Sequence, residues 1–578
     1  MKCAPRALMH LLKSYSARWR HAIWGLVLAL VWTGSTIAAP TGSQAGKLSE
    51  KVRREAKGAA KLDVLVRFRG NPGASERALV RSLGGDVRRQ HRSRWMALRV
   101  PGRVVAALAD NPAVEFVAID APTGMTGLEV GRQVADQPGP DVPESGLKGA
   151  GVTIAILDSG VARHPEIQTL VAAVDLVGTY DPTFAPETSV DPDGHGTHVA
   201  GIMVSNGSRS SGGRFAGVAP EASLVSVRVL NEEGRGTSST VLAGLEWVLD
   251  HKDQYGIRVL NVSLGHPIYE PAAFDPLVQA VDRLWDAGVV VVCAAGNAGN
   301  AGHGTIGSPC NSRKVITVGA INDRGTPPLA DDFVAYYSSL GPTRIDLVAK
   351  PDLLAPGNRI VSDLSPGSYL ELMAPSLRVQ GDPTNRPGAF EHIQLKGTSM
   401  SAPLVAGTAA LMLQQDPSLN PGTVKARLML SARKVAVGDP FATGAGVLDI
   451  LAALRTSGWV ADAPSPRVFC DGAGGQLNVE NTAVLWSNPS FPLAALWSGA
   501  VLWAGATLWD QAVVSSYAVF WPDATTSGSA LLWPDATLWP EATLWPESTL
   551  WSEAVLWDED LLLDVPIESL ATLIEDEP

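Results

Sequence analysis

The chain has 578 residues, 46% hydrophobic and 18% charged, with 57 glycines. That balance fits a large globular unit with smaller attachments and excludes a chain that is disordered throughout. A formal charge of -12 offers no cationic footprint for a phosphate backbone, so nucleic acid is not expected among its partners.

The first element in chain order reads as an export signal. Lys2, Arg6, Lys13, Arg18 and Arg20 precede an apolar run from Ala22 to Trp32, and small residues follow. Residues 1–38 are therefore expected to be a signal peptide cut after Ala38, the alternative being an uncleaved anchor, for which the run is short. The expected destination is secreted, either extracellular or associated with the cell surface. After a polar linker (39–61), residues 62–120 alternate strand and helix. LDVLVRF, WMALRV and VEFVAID read as strands, SERALVRSLGG and PGRVVAALAD as helices, and GGDVRRQ leaves room for one more strand. This predicts a small α+β unit of ferredoxin-like pattern, followed by a Gly/Pro-rich connector over 121–147.

From 148 to 459 the pattern becomes apolar strands alternating with helices, the signature of a parallel sheet covered on both faces. GVTIAILDSG, SLVSVRVL, IRVLNVSLG, GVVVVCAAGN and VITVGA are expected as interior strands, with TSSTVLAGLEWVLDHK and DPLVQAVDRLWDAG as helices. The fold class predicted for this region is α/β, a doubly wound and mostly parallel sheet. A linker (460–478) leads to a tail (479–560) without Lys or Arg, in which nine tryptophans from Trp497 to Trp557 share one register of six. An even period keeps Leu and Trp on constant faces of an extended backbone, and the recurring proline disfavours helix. The tail is expected to be β-type or partly disordered, and residues 561–578 form an acidic end. It stacks on itself or on the preceding domain, or its tryptophans contact a cell surface or self-associate. Of the four cysteines, Cys293 and Cys310 suit either a bridge in an oxidising compartment or burial as small hydrophobes.

Acyl transfer by an alcohol needs a nucleophile, a base, a group that orients the base, and donors for the oxyanion. Asp158 closes the strand GVTIAIL, where doubly wound sheets place their sites. His195 lies between glycines in DPDGHGTHVAGIMV at the start of an apolar helix, with His198 as its competitor. Ser399 lies in KGTSMSAPLVAGTAALMLQ, where a glycine turn enters an Ala-rich helix. Its own N–H and the amide of Asn297 in CAAGN supply candidate oxyanion donors. Taken singly, these residues read as a turn former, a structural histidine and a helix cap.

Together, and in this order, ILDSG, HGTHVAG, AAGN and GTSMSAP resemble the subtilisin family of serine peptidases over roughly Gly149 to Leu454. The resemblance implies Ser399 as nucleophile, His195 as general base and then acid, Asp158 orienting the imidazole, and Asn297 in the oxyanion hole. It also implies that Ser263, Leu264 and Gly265 form an edge that pairs with the backbone of polypeptide substrates. By the same resemblance, residues 62–120 look like an inhibitor-type propeptide removed within the connector, and the tail resembles Trp-bearing hexapeptide tails of secreted enzymes. No cofactor is expected; structural calcium occurs in such proteins, but no ligand is readable here and no metal is assigned. Two features depart from the pattern. Ser365 to Gln394 exceeds the usual connection, so a loop there is expected to overhang or reshape the cleft. Asp191 and Asp193 read as a solvated turn, the alternatives being a basic substrate residue or an ion beside them. The competing function is a secreted interaction or adhesion protein with a vestigial peptidase domain.

Overall fold

The computed structural model describes residues 46–57, 60–125, 146–177, 189–324, 332–435, 439–470, 476–480, 482–488 and 512–515. The expected signal peptide and acidic end lie outside these residues, as do most of the connector and of the repeat.

The first unit begins earlier than expected. Glu50–Glu55 forms helix α1 inside the segment read as a linker, because the Ser49 hydroxyl accepts the Val52 N–H at 3.2 Å and Val52 is buried. Strands β1 (Leu62–Phe68), β2 (Asp86–Gln90), β3 (Trp95–Val100) and β4 (Val114–Ile119) make an antiparallel sheet in the order β2-β3-β1-β4. Helices α2 (Ala74–Ser82) and α3 (Val105–Asp110) fall between them. Side chains alternate across such a sheet. Val64, Val66, Met96 and Leu98 join Val80, Val105 and Leu108 in a core of the unit's own. Leu65, Trp95, Ala97, Phe116 and Ala118, on the opposite face, merge with the core of the large domain.

A short strand, β5 (Pro122–Met125), ends the unit. The large domain follows with β6 (Thr153–Asp158), β7 (Leu170–Asp175), helix α4 (His195–Val204), β8 (Ser223–Arg228), β9 (Arg235–Thr237) and α5 (Ser238–Tyr255). Next come β10 (Ile257–Val262), β11 (Leu264–Gly265), α6 (Pro276–Asp286), β12 (Val290–Ala294), β13 (Ile316–Asn322), β14 (Phe333–Val334) and β15 (Leu353–Pro356). The central sheet runs β7-β8-β6-β10-β12-β13, parallel throughout, with parallel β15 and short antiparallel β14 both on β13. The five strands expected to be interior are β6, β8, β10, β12 and β13, and their apolar residues are buried on both faces. After β6 the chain turns first to one side of the sheet and then, from β10 on, to the other. The carboxyl end of β6 is thus the switch point at which open α/β sheets bind their ligands.

The remaining elements used below are β16 (Ile360–Asp363), α7 (Tyr369–Met373), β17 (Arg378–Gln380), β18 (Phe390–Leu395), α8 (Thr398–Gln415) and α9 (Pro421–Ser431). Helix α8 is buried from Thr398 to Leu413 and lies against β10, β12, β13 and β15. Its small residues permit this: a methyl group on Gly407 would come within 2.7 Å of the Val218 Cβ.

The segment read as a second linker is held in the fold. Ser465 donates to Asp352 Oδ1 at 2.6 Å and accepts from Lys425 Nζ at 2.8 Å. Asp352 also pairs with Lys350 Nζ at 2.6 Å and Lys425 Nζ at 3.2 Å, with all three charged side chains fully buried. Beyond it, Gln476–Val479 pairs with Val468–Cys470 and with Ala512–Ser515, while Thr482–Leu485, at the start of the tail expected to be β-type, forms a short helix. Removing one member of a buried ionic group leaves the others uncompensated. Asp352→Asn is expected to lower stability by about 3–5 kcal/mol, read from the shift of the urea unfolding transition.

Candidate active site

Asp158 ends β6 and His195 begins α4, and each is at most 2% exposed. His195 Nδ1 donates to Asp158 Oδ1 at 2.8 Å, an oxygen that also accepts the Ser159 N–H at 2.7 Å. Two glycines allow the approach. A methyl on Gly196 would stand 2.0 Å from the Gly160 carbonyl oxygen and 3.2 Å from the Asp158 Cβ. A methyl on Gly160, whose φ is +115°, would meet the Val190 carbonyl at 2.1 Å. Burial alone would lower the imidazole pKa. The charge and hydrogen bond of Asp158 outweigh it, with help from Asp193 and Asp191, and hold His195 above the ordinary histidine value.

Ser399 lies in the first turn of α8, the helix that packs against α4. Its hydroxyl donates to the Ser263 carbonyl at 3.2 Å, while the Ser263 hydroxyl donates to the Ser399 carbonyl at 3.2 Å. The second bond follows from the sequence. The Ser399 carbonyl would ordinarily accept the N–H four residues on, but that residue is Pro403, which has none. Asn261 Nδ2 donates to the Ser263 hydroxyl at 3.0 Å and fixes its direction. Asn297 sits after β12 and is half-buried; its Oδ1 accepts both the N–H and the hydroxyl of Thr398 at 2.9 Å. Those donors identify that atom as the carboxamide oxygen, so the NH2 end projects from the opposite side.

Leu264 and Gly265 form β11, which pairs with β5: Leu264 stands across from Met125 and Gly265 from Gly124. On its other side β5 pairs with β9, Pro122 across from Thr237 and Gly124 from Arg235. Residues 122–125 thus lie as the middle strand of a three-stranded antiparallel sheet. Ser263, Leu264 and Gly265 consequently join the serine helix to a backbone edge already occupied by this chain.

The subtilase family model matches residues 149–446. The chain belongs to the subtilase family. It is 41% identical over 309 residues to the serine protease AprX of Bacillus subtilis, an alignment covering 52% of this chain and 66% of AprX. It is 34% identical over 316 residues to subtilisin DY of Bacillus licheniformis, covering 54% of this chain and 94% of that protein. Among solved structures, fervidolysin from Fervidobacterium pennivorans superimposes with a TM-score of 0.56 at 21% identity, covering 71% of this chain and 63% of fervidolysin. That likeness is one of fold.

In this subtilase His198, the competing histidine, is taken by structure. Its Nε2 lies 3.1 Å from the carbonyls of Ile360 and Ile393, and burial lowers its pKa to about 3. Asp191 and Asp193 are not a solvated turn, since both are buried. Asp191 accepts from Ser159, Gly194 and Thr197 and knits the loop before α4. The long connection after β16 is partly regular. It forms α7, β17 and β18, and it backs the same loop: Tyr369 N–H donates to the Pro192 carbonyl at 2.8 Å and Leu370 N–H to the Asp193 carbonyl at 2.9 Å. Cys293 and Cys310 are buried and unbridged, the Cys310 thiol donating to the Ala294 carbonyl at 2.8 Å.

Among the described residues, His164, Glu166 and Asp363 bring ligand-type atoms within 4.8 Å of one another. Hydrogen bonds already cross this group. Glu166 Oε2 pairs with His392 Nε2 at 2.7 Å, and Asp363 Oδ1 accepts from Ser205 at 3.3 Å. The cluster therefore ties β18 to the segment after β6.

The close approach at Gly196 carries a direct test. Gly196→Ala is expected to separate Asp158 from His195 and to lower kcat/KM about 10²-fold or more, a loss typical of misplacing a catalytic group by about 1 Å. Peptide hydrolysis by a variant whose circular dichroism is unchanged measures it.

Proposed function

We propose that this subtilase is a secreted serine endopeptidase that cuts polypeptides through Asp158, His195 and Ser399, by way of an acyl-enzyme intermediate. The observation that carries this reading is the buried 2.8 Å hydrogen bond from His195 Nδ1 to Asp158. It holds the proton on Nδ1, leaving Nε2 as a base. Ser399 Oγ attacks the substrate carbonyl carbon and its proton passes to His195 Nε2. The Ser399 N–H and the Asn297 carboxamide donate to the oxyanion; collapse breaks the C–N bond, and His195 returns the proton to the leaving amine. Water then repeats the sequence on the acyl ester and regenerates Ser399. Asp158 stabilises the imidazolium formed in each half.

Residues 62–120 serve as an inhibitor-type propeptide of ferredoxin-like pattern, and the protein is made as a zymogen. What supports this is the course of β5, which runs along the Leu264–Gly265 edge as a substrate strand would. Removal of the unit within the connector would open the cleft. The charge sequence 1–38 supports export. The tryptophan register supports a tail that contacts a cell surface or associates with itself. In a vestigial peptidase domain serving only as an adhesive carrier, Ser399 would be inert.

A fluorophosphonate probe separates these readings. The processed protein is expected to be labelled at Ser399, and Ser399→Ala is expected to lose all labelling. A processed wild-type chain that takes no label leaves the adhesive reading in place.

The docked unit should also respond to pH, through two carboxyls shifted in opposite directions. Burial, and then the nearby Asp275, raise Glu270 to about 8, where it accepts the Ile119 N–H at 3.4 Å. Burial opposes ionisation of Glu246 as well. There His91, whose Nδ1 lies 3.5 Å away, and the hydrogen bond from the Ser93 N–H prevail and bring it down to about 2. A raised carboxyl stabilises the docked state fully below its ordinary value, and that stability is lost as pH rises through about 8. A depressed one contributes above its ordinary value and is lost as pH falls through about 2. In the uncut Ser399→Ala chain, urea stability of the docked unit is expected to fall between pH 7 and pH 9, on either side of that value. Glu270→Gln is expected to flatten this dependence.

A further inference from the structure

Asp193 lies two residues before His195, and its two carboxylate oxygens have different surroundings. Oδ1 accepts the His195 N–H at 3.0 Å, whereas Oδ2 is buried without a hydrogen-bond partner. The neighbouring Asp191 spends both of its oxygens on the loop, with four hydrogen bonds of 2.7–2.8 Å. Buried polar atoms are paired with few exceptions, because an unpaired one forfeits its hydration for nothing. Asp158 Oδ2 is buried and unpartnered as well; Asp193 Oδ2 differs in facing space beside Gly234 and the Met125 side chain, where an incoming donor could reach it.

Its position in the cleft says where that donor enters. A methyl on Gly234 would come within 2.1 Å of the Met125 Cε and 3.1 Å of Asp193 Oδ2. The end of the Met125 side chain and the carboxylate thus share one recess, floored by a residue with no side chain. Met125 stands across from Leu264, and the Ser263 carbonyl is 3.2 Å from Ser399 Oγ. An extended substrate in this register would place its next residue across from Ser263, at the nucleophile. The recess accordingly receives the side chain second before the cleaved bond.

We infer that Asp193 is a specificity-determining residue, which receives the ammonium or guanidinium of a Lys or Arg at the second position before the scissile bond. The inference rests on the peptidase reading above. A lysine stem follows the same path as methionine as far as Cε and carries its charge one atom further, toward the orphaned oxygen. Burial lifts the Asp193 carboxyl to about 7, against the pull of His195, so the group is poised to ionise when a cation arrives. Methionine has no donor to offer it. The occupant from the chain itself therefore fills the recess and leaves its charge unanswered, a weaker fit than a basic substrate would make.

The test uses the full-length chain after processing and fluorogenic peptides identical except at that position, which carries Arg, its neutral isostere citrulline, or Met. The expected kcat/KM for Arg exceeds that for citrulline and Met by about tenfold or more, and Asp193→Asn brings the three toward parity. The comparison of Arg with citrulline needs only wild-type protein, so it decides the matter even where the variant does not fold. Equal rates for Arg and citrulline, or an Arg preference that survives in Asp193→Asn, would overturn the inference. With Ser399 labelled and the peptides cut without preference, the specificity assignment alone falls; with no labelling and no cutting, the peptidase reading falls with it.

Discussion

The Asp158–His195 hydrogen bond requires that the end of a strand and the start of a helix meet at backbone distance, and much else follows from that requirement. No side chain larger than hydrogen fits at Gly160 or Gly196, and the intervening loop must be held by internal bonds, chiefly those of Asp191. A buried carboxylate is costly unless donors meet it. Ser159 and His195 supply them to Oδ1 of Asp158, and the charge of Asp158 keeps the imidazole basic despite its burial. The parallel sheet contributes position: β6 is central, helices α4 and α8 both pack against it, and α4 begins at its carboxyl end.

The small N-terminal unit meets the large domain through two kinds of contact. One face of its sheet joins the main apolar core, an interaction that is strong but carries little direction. Direction comes from carboxylates. Asp120 accepts both the N–H and the hydroxyl of Ser239 at 2.8 Å, and Glu246 accepts the N–H groups of Arg92 and Ser93 at 3.0 Å. These bonds orient the unit so that β5 leaves it along the β11 edge.

Legibility in the sequence followed burial. Strands covered on both faces, such as VVVVCAAG, announce themselves because nearly every residue is apolar; β7 does not, being an edge strand with Val171 exposed, nor does β15, a run of four residues. The Asp158–His195 contact is legible because glycines mark its close approach, whereas Ser399 shows only as the start of an Ala-rich helix after a glycine turn. Between His195 and His198 the glycine flank was the deciding sign, and the carbonyls that claim His198 come from Ile360 and Ile393, more than a hundred residues further on. Asp193 was read as solvated because its burial is made by distant parts of the chain, including Leu370 from the long connection. Glu246 and Glu270 gave no sign, since their partners belong to the other unit.

Pro403 has a mechanical consequence. By withholding an amide proton inside α8, it leaves the Ser399 carbonyl open to the Ser263 hydroxyl, and the reciprocal bond from Ser399 closes a ring between helix and cleft edge. The β11 edge and Ser399 are thereby coupled to each other. Under the proposed mechanism, a pull on a peptide paired with that edge would pass through this ring to the Ser399 hydroxyl, and a helix defect would keep nucleophile and target in step.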